Sequence, residues 1–339
     1  MTASSPSGLE IRTVEMHTGG EPTRIIVSGW PQFESRTLLG KRREASERHD
    51  HLRRALMHEP RGHAEMYGAL LVAPDHPDAD LAVLFLHGEG YSTMCGHATI
   101  ALARWAVDSG RVPLRKPATT VRLQCPCGLV VAKVDTSRGQ AGRVSFESVP
   151  AFAYRLDAIV PTRDWGPLTL DIGYGGAFYA ILPADSIGLD VRTSPLAPII
   201  DAGEAIARAT QQAIRIEHPS EPDLAFIYGA ILTDGGDGRA GPSRNICVFA
   251  GRQVDRSPTG SGVTARLALA AARHAASPGE TMLFESVTGA HFSGRILRTD
   301  RAGSHKAVIV EVGGAAHYTG DAVFRFEAED PLRWGFSLT

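Results

Sequence analysis

The sequence is poor in cysteine, with only Cys95, Cys125, Cys127 and Cys247 in a chain of 339 residues. Their sparse and uneven spacing does not suggest a disulfide framework, so a reducing compartment is expected. The Cys125 and Cys127 pair lacks two further ligands nearby, and Cys-X-Cys is less typical of zinc sites than Cys-X2-Cys. We therefore predict that the protein binds no metal.

Strong net charge and long apolar runs are also missing. A formal net charge of −2 and a pI near 6.7 give no global field that would attract nucleic acid or anionic lipid. No apolar run reaches the roughly 18 residues of a membrane span, and residues 1–8 lack the apolar segment of a secretion signal. We expect a cytoplasmic protein with a short frayed start and with no nucleic acid or membrane partner.

Cofactor-binding motifs are absent as well. No Gly-X-Gly-X-X-Gly follows a predicted strand, and the glycine-rich run at 234–241 is not followed by Lys-[Ser/Thr]. We therefore predict no nicotinamide, flavin or other organic cofactor. The composition is otherwise ordinary, with 43% hydrophobic and 21% charged residues, and the length allows roughly two domains.

One stretch places a cysteine at the start of an almost wholly apolar helix. After Met94-Cys95-Gly96-His97, the spacing of Ala98, Leu102 and Trp105 predicts a buried helix over residues 95–110. The unpaired amides and the dipole at a helix N-terminus favour negative charge. They would hold a carboxylate and lower the pKa of the Cys95 thiol from about 8.5 toward neutrality. The alternative is a structural core cysteine, and the stretch alone does not decide between the two.

A second, similar stretch runs from Asp255 to Ala270. Thr259 stands in the place of Cys95, Gly260 matches Gly96, and an Ala- and Leu-rich helix follows. Two helix N-termini facing one cleft would form a symmetric acid–base site.

With these two motifs the chain resembles the proline racemase family. In that family Met-Cys-Gly-His in one half and Ser-Pro-Cys-Gly-[Thr/Ser]-Gly in the other supply two cysteines on opposite sides of a proline Cα. Here Thr259 replaces the second cysteine, and residues 257–266 resemble the branch that dehydrates trans-3-hydroxy-L-proline. The resemblance covers most of the chain, including residues 16–22, 59–63, 66–68 and 245–251.

The resemblance and the paired motifs together predict the fold. We expect an α/β protein of two pseudo-symmetric domains, each with strands wrapped around a central helix, as in diaminopimelate epimerase. The first half is placed at residues 9–160 with the Cys95 motif, and the second at 161–319 with the Thr259 motif. Residues 150–165 are predicted to cross between the halves, and the segment at about 320–339 to pack back on the first. The active site would lie in the interdomain cleft.

The predicted roles of the site residues combine their chemistry with the resemblance. Cys95, as a thiolate, is the expected base for the substrate Cα proton. The substrate carboxylate would be bound by backbone amides at both helix starts, those of Gly96, His97, Gly260 and Ser261. Asp255 would pair with the ring ammonium, a role that the resemblance also implies; a turn or N-cap aspartate is the alternative. His97 would hydrogen-bond the Cys95 sulfur or protonate a leaving hydroxyl, and a solvent-facing polar group is its alternative.

Four further regions receive weaker interpretations. His17 and Glu21, beside a Gly-Gly turn, either border the substrate site or are surface residues of a hairpin. Residues 61–63 lie either near the site or in a structural loop. Cys247 is predicted to pack in a strand, and residues 41–58 to form one amphipathic surface helix with its charges in solvent.

Thr259 determines the predicted reaction. Racemisation needs a base on one face of the substrate and an acid on the other, and a threonine hydroxyl lacks the basicity of a thiolate near pH 7. In trans-3-hydroxy-L-proline the hydroxyl and the Cα hydrogen share a face, so Cys95 can serve an elimination from that side. We therefore expect dehydration to pyrroline-2-carboxylate, with Thr259 closing the far face through a hydrogen bond.

Two other functions stay open from the sequence. A proline racemase or hydroxyproline epimerase would use the same pocket, and a non-catalytic protein would bind the amino acid without turnover. The expected partner is hydroxyproline, and a homodimer is compatible with the sequence.

Overall fold

The computed structural model describes residues 8–338 of the chain, so nearly all of the predicted frayed start lies outside it. In the described part the chain forms a mixed α/β fold, as predicted, with eighteen strands and five α-helices. The helices are Leu38–Arg48 (α1), Asp50–Met57 (α2), Gly96–Asp108 (α3), Leu196–Ala213 (α4) and Gly260–Ala272 (α5). The first nine strands are Leu9–Thr18 (β1), Glu21–Ser28 (β2), Gly68–Val72 (β3), Leu81–His87 (β4), Gly90–Ser92 (β5), Ala118–Cys125 (β6), Gly128–Asp135 (β7), Val144–Glu147 (β8) and Ala151–Thr162 (β9). The others are Gly166–Tyr174 (β10), Phe178–Pro183 (β11), Ile227–Thr233 (β12), Ser243–Phe249 (β13), Gln253–Val254 (β14), Thr281–Glu285 (β15), His291–Ala302 (β16), His305–Gly314 (β17) and Ala316–Phe326 (β18).

The strands pair continuously around the molecule. Strand β18 pairs with β1, and the pairing continues through β2, β3, β4, β6, β7 and β8 to β17. From β17 it returns through β9, β10, β11, β12, β13, β15 and β16 to β17 again, which closes a circuit of eight strands. Because β18 lies along the whole of β1, residues 316–326 are bound to the start of the chain.

Two buried helices lie against these strands. Helix α3 packs on β1, β7, β8 and β6, and of its residues only Arg104 and Asp108 are not buried. Helix α5 packs on β9, β10, β17 and β16. Both helices are rich in alanine. Strands surround each helix, and larger side chains fit on some of its sides only, so the other positions need a side chain no larger than a methyl group.

The two helices meet at their N-termini, at Gly96 and Gly260. A Cβ atom added to Gly96 would lie 2.5 Å from the Cα of Gly260, and one added to Gly260 would lie 2.7 Å from the Cα of Gly96. Backbone can approach backbone this closely only when both residues are glycine. The contact brings the preceding residues, Cys95 and Thr259, into one region of the molecule.

The structure corrects the single surface helix predicted for residues 41–58. The segment forms two helices, α1 and α2, that are separated at His49. Lys41 and Arg53 are buried, although the prediction placed their charges in solvent. Their cations donate hydrogen bonds to backbone carbonyls, Lys41 to Ala73 at 2.7 Å and Arg53 to His87 at 2.8 Å. The helical spacing of apolar residues could not indicate these carbonyls, which come from distant parts of the chain.

The segment predicted to cross between two halves, residues 150–165, consists mainly of β9. This strand pairs with both β10 and β17 and is therefore part of the closed circuit. Among residues 8–338, none of the helices combines the length and the apolar character that a membrane crossing requires.

The Gly96–Gly260 contact predicts a specific loss of stability. Alanine is a better helix former than glycine, so helix propensity alone would favour Gly96→Ala by up to about 1 kcal/mol. The clash with the Gly260 backbone should outweigh this and lower the free energy of unfolding by roughly 1–3 kcal/mol, as measured by urea denaturation. Gly320→Ala is the matched control, since within residues 8–338 no atom outside its two chain neighbours lies within 4 Å of the added Cβ. Equal stability of the Gly96 variant and the parent would show that the contact is not tight.

Candidate active site

A small cavity lies where α3 and α5 meet. It is lined by Tyr67, Met94, Cys95, Gly96, His97, Tyr179, Tyr228, Cys247, Phe249, Asp255, Thr259, Gly260 and Ser261. All seven residues that the sequence selected for the site are among these thirteen. The first amides of a helix have no partner within the helix, so the starts of α3 and α5 bring hydrogen-bond donors to this cavity.

Cys95 is the N-cap of α3. Its backbone is extended, at φ −146° and ψ 113°, and the Ala98 amide donates a hydrogen bond of 3.3 Å to its sulfur. The Nδ1 atom of His97 lies 3.1 Å from the same sulfur. The His97 ring is held edge-on to Tyr67, with 4.7 Å between the ring centroids, and burial lowers its pKa to about 3. The sulfur is therefore beside a neutral imidazole.

The expectation that the helix start lowers the pKa of Cys95 is wrong for this structure. Burial raises the pKa of the thiol well above its ordinary value, and the nearby carboxyl groups of Asp255 and Glu21 raise it further. The Ala98 amide does act in the predicted direction, but it does not offset the removal of the thiol from water. Cys95 is thus protonated near pH 7 in this state of the protein.

Thr259 differs from Cys95 in conformation although it holds the matching position. Its φ of 62° and ψ of 85° lie in the left-handed region, where a β-branched residue is strained by roughly 1–3 kcal/mol. The side chain does not cap α5. Its hydroxyl is buried and lies near the Asp255 carboxyl group and the Cys247 thiol, but it makes no hydrogen bond of good geometry with any described residue. A buried hydroxyl without a partner at a cavity wall is suited to bind a polar group of a ligand.

Asp255 lies in the same loop and is buried. Its Oδ1 accepts a 2.7 Å hydrogen bond from the Ser257 amide, so the turn role considered for it is present together with a position on the cavity wall. Burial raises its pKa to about 6, against the opposing effect of its hydrogen bonds with Ser257. Glu21 lies close behind it and accepts a 2.8 Å hydrogen bond from the Arg256 amide. Burial and the neighbouring Asp255 raise the pKa of Glu21.

The other weaker predictions have different outcomes. His17 is the last but one residue of β1, its Nδ1 accepts a 3.2 Å hydrogen bond from the Gly20 amide of the following turn, and it is not on the cavity wall. Arg61 donates hydrogen bonds to the carbonyls of Arg325 and Arg333, so it ties its loop to the C-terminal segment. In residues 8–338 no group of three or more His, Cys, Asp and Glu side chains is arranged to hold a metal ion.

The aromatic side of the cavity was not predicted from the sequence, and Cys247 has a position on the cavity wall beyond its predicted packing. Tyr179 and Tyr228 stand on β11 and β12, and the hydroxyls of Tyr179 and Ser261 are 2.7 Å apart. Cys247 does pack in β13, but it also lines the cavity. Apolar runs in buried strands carry no periodic signal that separates a cavity wall from a core. The Met66-Tyr67-Gly68 segment was part of the family resemblance and was the one available signal for Tyr67.

Comparison with known proteins gives full-length matches. A family model described as proline racemase matches residues 13–337. Trans-3-hydroxy-L-proline dehydratase of Homo sapiens is 51% identical over 334 residues, which covers 97% of this chain and 94% of the relative. 3-hydroxyproline 2-epimerase of Burkholderia multivorans is 43% identical and covers 96% of this chain and 97% of the relative. The crystal structure of a hydroxyproline epimerase from Agrobacterium vitis, with trans-4-hydroxy-L-proline bound, superimposes with a TM-score of 0.92 at 27% identity, covering 97% of this chain and 95% of that one.

The raised pKa of Cys95 predicts slow alkylation near neutral pH. The thiolate is the reactive form, so the rate constant for iodoacetamide should rise about tenfold per pH unit from pH 7 to 9 without levelling off. Mass spectrometry of the Cys95 peptide measures this rate. Asp255→Asn removes a negative charge that favours the protonated thiol and should therefore speed the reaction at fixed pH. Asp300→Asn, at an exposed position, is the control and should leave the rate unchanged. A rate that reaches its plateau below about pH 7.5 would contradict the assignment.

Proposed function

This chain belongs to the proline racemase family, and we propose that it dehydrates trans-3-hydroxy-L-proline to pyrroline-2-carboxylate. On this proposal the protein is a hydro-lyase. The observation that carries the choice of reaction is the residue pair at the two helix starts: one thiol, Cys95, and one alcohol, Thr259, on the wall of the same cavity. The roughly half-identical, full-length dehydratases support the same reaction.

We propose that the substrate binds as a zwitterion between the helix starts. Its carboxylate accepts hydrogen bonds from the amides of Gly96, His97, Gly260 and Ser261. Its ring ammonium pairs with the buried carboxyl group of Asp255. Among the described residues that line the cavity there is no lysine or arginine that could pair with Asp255 instead. Since burial raises the pKa of Asp255 to about 6, the ammonium also favours the ionised form that the pair requires.

Substrate binding then changes the acidity of Cys95. The negative charge of Asp255 raises the pKa of the thiol in the free protein, and Glu21 adds to this effect in its ionised form. A bound ammonium compensates these charges and lowers the pKa again. His97, neutral and 3.1 Å from the sulfur, is placed to hold the thiolate through a hydrogen bond, while its lowered pKa makes it too weak a base to keep the thiol proton, which passes to solvent. The base is therefore formed when the substrate is present.

The elimination proceeds on one face of the ring. The Cys95 thiolate takes the Cα proton, and the electron pair of that bond forms the C2–C3 double bond as the C3–O bond breaks. The proton that leaves with the hydroxyl as water comes from the same side, from the new Cys95 thiol or through His97. The enamine tautomerises to pyrroline-2-carboxylate. Thr259 closes the opposite face, where its unpartnered hydroxyl can hydrogen-bond the substrate but cannot act as a strong base.

We also propose the finer organisation of the fold and its setting in the cell. Residues 9–160 and 161–319 form two halves around α3 and α5, with the cavity in the cleft between them. The packing of α3 on β1, β6, β7 and β8 and of α5 on β10, β16 and β17 supports two halves, except that β9 also packs on α5 and so belongs with the second half. The β18–β1 pairing returns the end of the chain to the first half. A cytoplasmic location and a homodimer stay predictions from the sequence.

The epimerase reading is the second candidate, and a relative 43% identical, 3-hydroxyproline 2-epimerase of Burkholderia multivorans, favours it. Inversion at Cα would need a proton donor on the face closed by Thr259. Cys247 also lines the cavity, but it stands on β13, whereas the helix start that matches Cys95 carries Thr259.

The proposed reaction is tested with purified protein and trans-3-hydroxy-L-proline in chelator-containing buffer without added cofactor. Mass spectrometry should detect a product that has lost one water. Cys95→Ser should remain folded and reduce turnover by roughly 10²- to 10⁴-fold, because a serine hydroxyl is a far weaker acid than the thiol. Cys127→Ser, outside the cavity wall, is the matched control and should retain activity. Inversion at Cα without loss of water would return the chain to the epimerase reading.

Thr259→Cys should add a weak epimerase activity. A thiol at this position can donate a proton to the far face of trans-4-hydroxy-L-proline, and chiral chromatography detects the epimer formed. The gain should be small because the backbone at 259 is strained and a displacement of about 1 Å can cost on the order of a hundredfold. Thr259→Ser is the control, since it offers a hydroxyl but no thiol. Rapid racemisation of proline by the unmodified protein would remove Thr259 from the choice of reaction.

A further inference from the structure

Thr259 can keep its strained backbone only if the surrounding structure holds it there. The two loop hydrogen bonds that precede it are local: the Ser257 side chain accepts from the Thr259 amide at 3.1 Å, and Asp255 accepts from the Ser257 amide. Such turns are compatible with several conformations of the residue that follows. A contact from outside the loop is needed to fix the peptide that joins Pro258 to Thr259.

Asn245 supplies that contact. It stands on β13, is 1% exposed, and is the only asparagine in the sequence. Its side-chain amide nitrogen donates a 3.2 Å hydrogen bond to the carbonyl oxygen of Pro258, which belongs to the peptide before Thr259. The direction of this bond is set by chemistry, because a carbonyl can only accept.

Arg266 fixes the other end of the same side chain. Its guanidinium donates a 3.0 Å hydrogen bond to Oδ1 of Asn245 and a 2.7 Å hydrogen bond to Ser243. A guanidinium can only donate, so Asn245 must present its oxygen to Arg266 and its nitrogen to Pro258. The guanidinium is itself held 4.8 Å from the ring centroid of Phe284. Asn245 is thus locked in one orientation between a strand, a helix and the loop.

We infer that Asn245 is a positioning residue for the reaction: it holds the Pro258–Thr259 peptide in the strained conformation that turns the Thr259 hydroxyl into the cavity. This inference rests on the proposed function, in which Thr259 closes the far face of the substrate. Asn245 is not on the cavity wall and acts through Thr259 alone.

The test is a double-mutant cycle with Asn245→Asp and Thr259→Gly. Aspartate keeps the size and the oxygen for Arg266 but removes the N–H that Pro258 needs. Glycine adopts a positive φ without strain and needs no tether. We expect Asn245→Asp to lower kcat for dehydration by roughly tenfold to a hundredfold in the parent, with a smaller change in KM. Thr259→Gly should itself slow the reaction, because it removes the hydroxyl that closes the far face. In that protein Asn245→Asp should change kcat by less than about twofold.

Ser243→Ala is the matched control. It removes another contact of Arg266 and leaves the Asn245–Pro258 hydrogen bond, so it should change kcat by less than about twofold even if the melting temperature falls. An equal loss of kcat from Asn245→Asp in both backgrounds would make Asn245 a general structural residue and overturn the inference. No loss in the parent would overturn it as well.

Folding of the variants is part of the same experiment. If Asn245→Asp does not fold in the parent, recovery of folded protein by Thr259→Gly supports the inference, and failure in both backgrounds contradicts it. If the parent shows no dehydration, the proposed function has failed. The coupling is then measured from melting temperatures, where Asn245→Asp should cost less in the Thr259→Gly background than in the parent.

Discussion

The approach of two glycines controls the architecture of the site. Gly96 and Gly260 let two helix N-termini meet at backbone distance, and each helix carries its reactive residue one position earlier. Any side chain at this contact would push the helices apart and separate Cys95 from Thr259. The alanine-rich, largely buried helices and the strands around them hold this one contact in place. The symmetry of the site therefore depends on backbone geometry more than on the identity of the two reactive side chains.

Within that symmetric frame the two positions have become chemically unlike. Cys95 is an extended N-cap whose sulfur accepts a helix amide, whereas Thr259 is left-handed and its hydroxyl caps nothing. The difference arises from the residues around them: His97 and Tyr67 flank the sulfur, while Asn245 and the Asp255–Ser257 turn hold the threonine. Two helix starts at one cavity would suit proton transfer on both faces of a substrate. In the proposed reaction only the face on the Cys95 side is used. Burial shifts the pKa values of Cys95, His97 and Asp255 more than their hydrogen bonds do, so burial sets their charge states.

The sequence was informative where chemistry and spacing coincide. The two motifs predicted both buried helices, and the seven residues chosen from them line one cavity, because the second motif repeats the small-residue start and the apolar helix of the first. The pKa of Cys95 could not be predicted in this way, since it depends on the depth of burial and on Glu21, 74 positions earlier in the chain. The buried charges of Lys41 and Arg53 were missed because their partners are backbone carbonyls, which every sequence contains. Tyr179, Tyr228 and Cys247 were missed because a cavity wall and a core have the same apolar pattern.

The protonated state of Cys95 also bears on the chemical durability of the protein. Peroxide and other oxidants attack thiolates and convert them to sulfenic acid and then to irreversible acids. A catalytic cysteine with a permanently lowered pKa would be exposed to this damage whenever the protein was idle. Here burial and two neighbouring carboxyl groups keep the sulfur as a thiol. On the proposed mechanism the cation of the substrate relieves that effect only while the cavity is occupied. On the proposed mechanism the same electrostatic effects keep Cys95 protonated until substrate binds and protect its sulfur from oxidation while the cavity is empty.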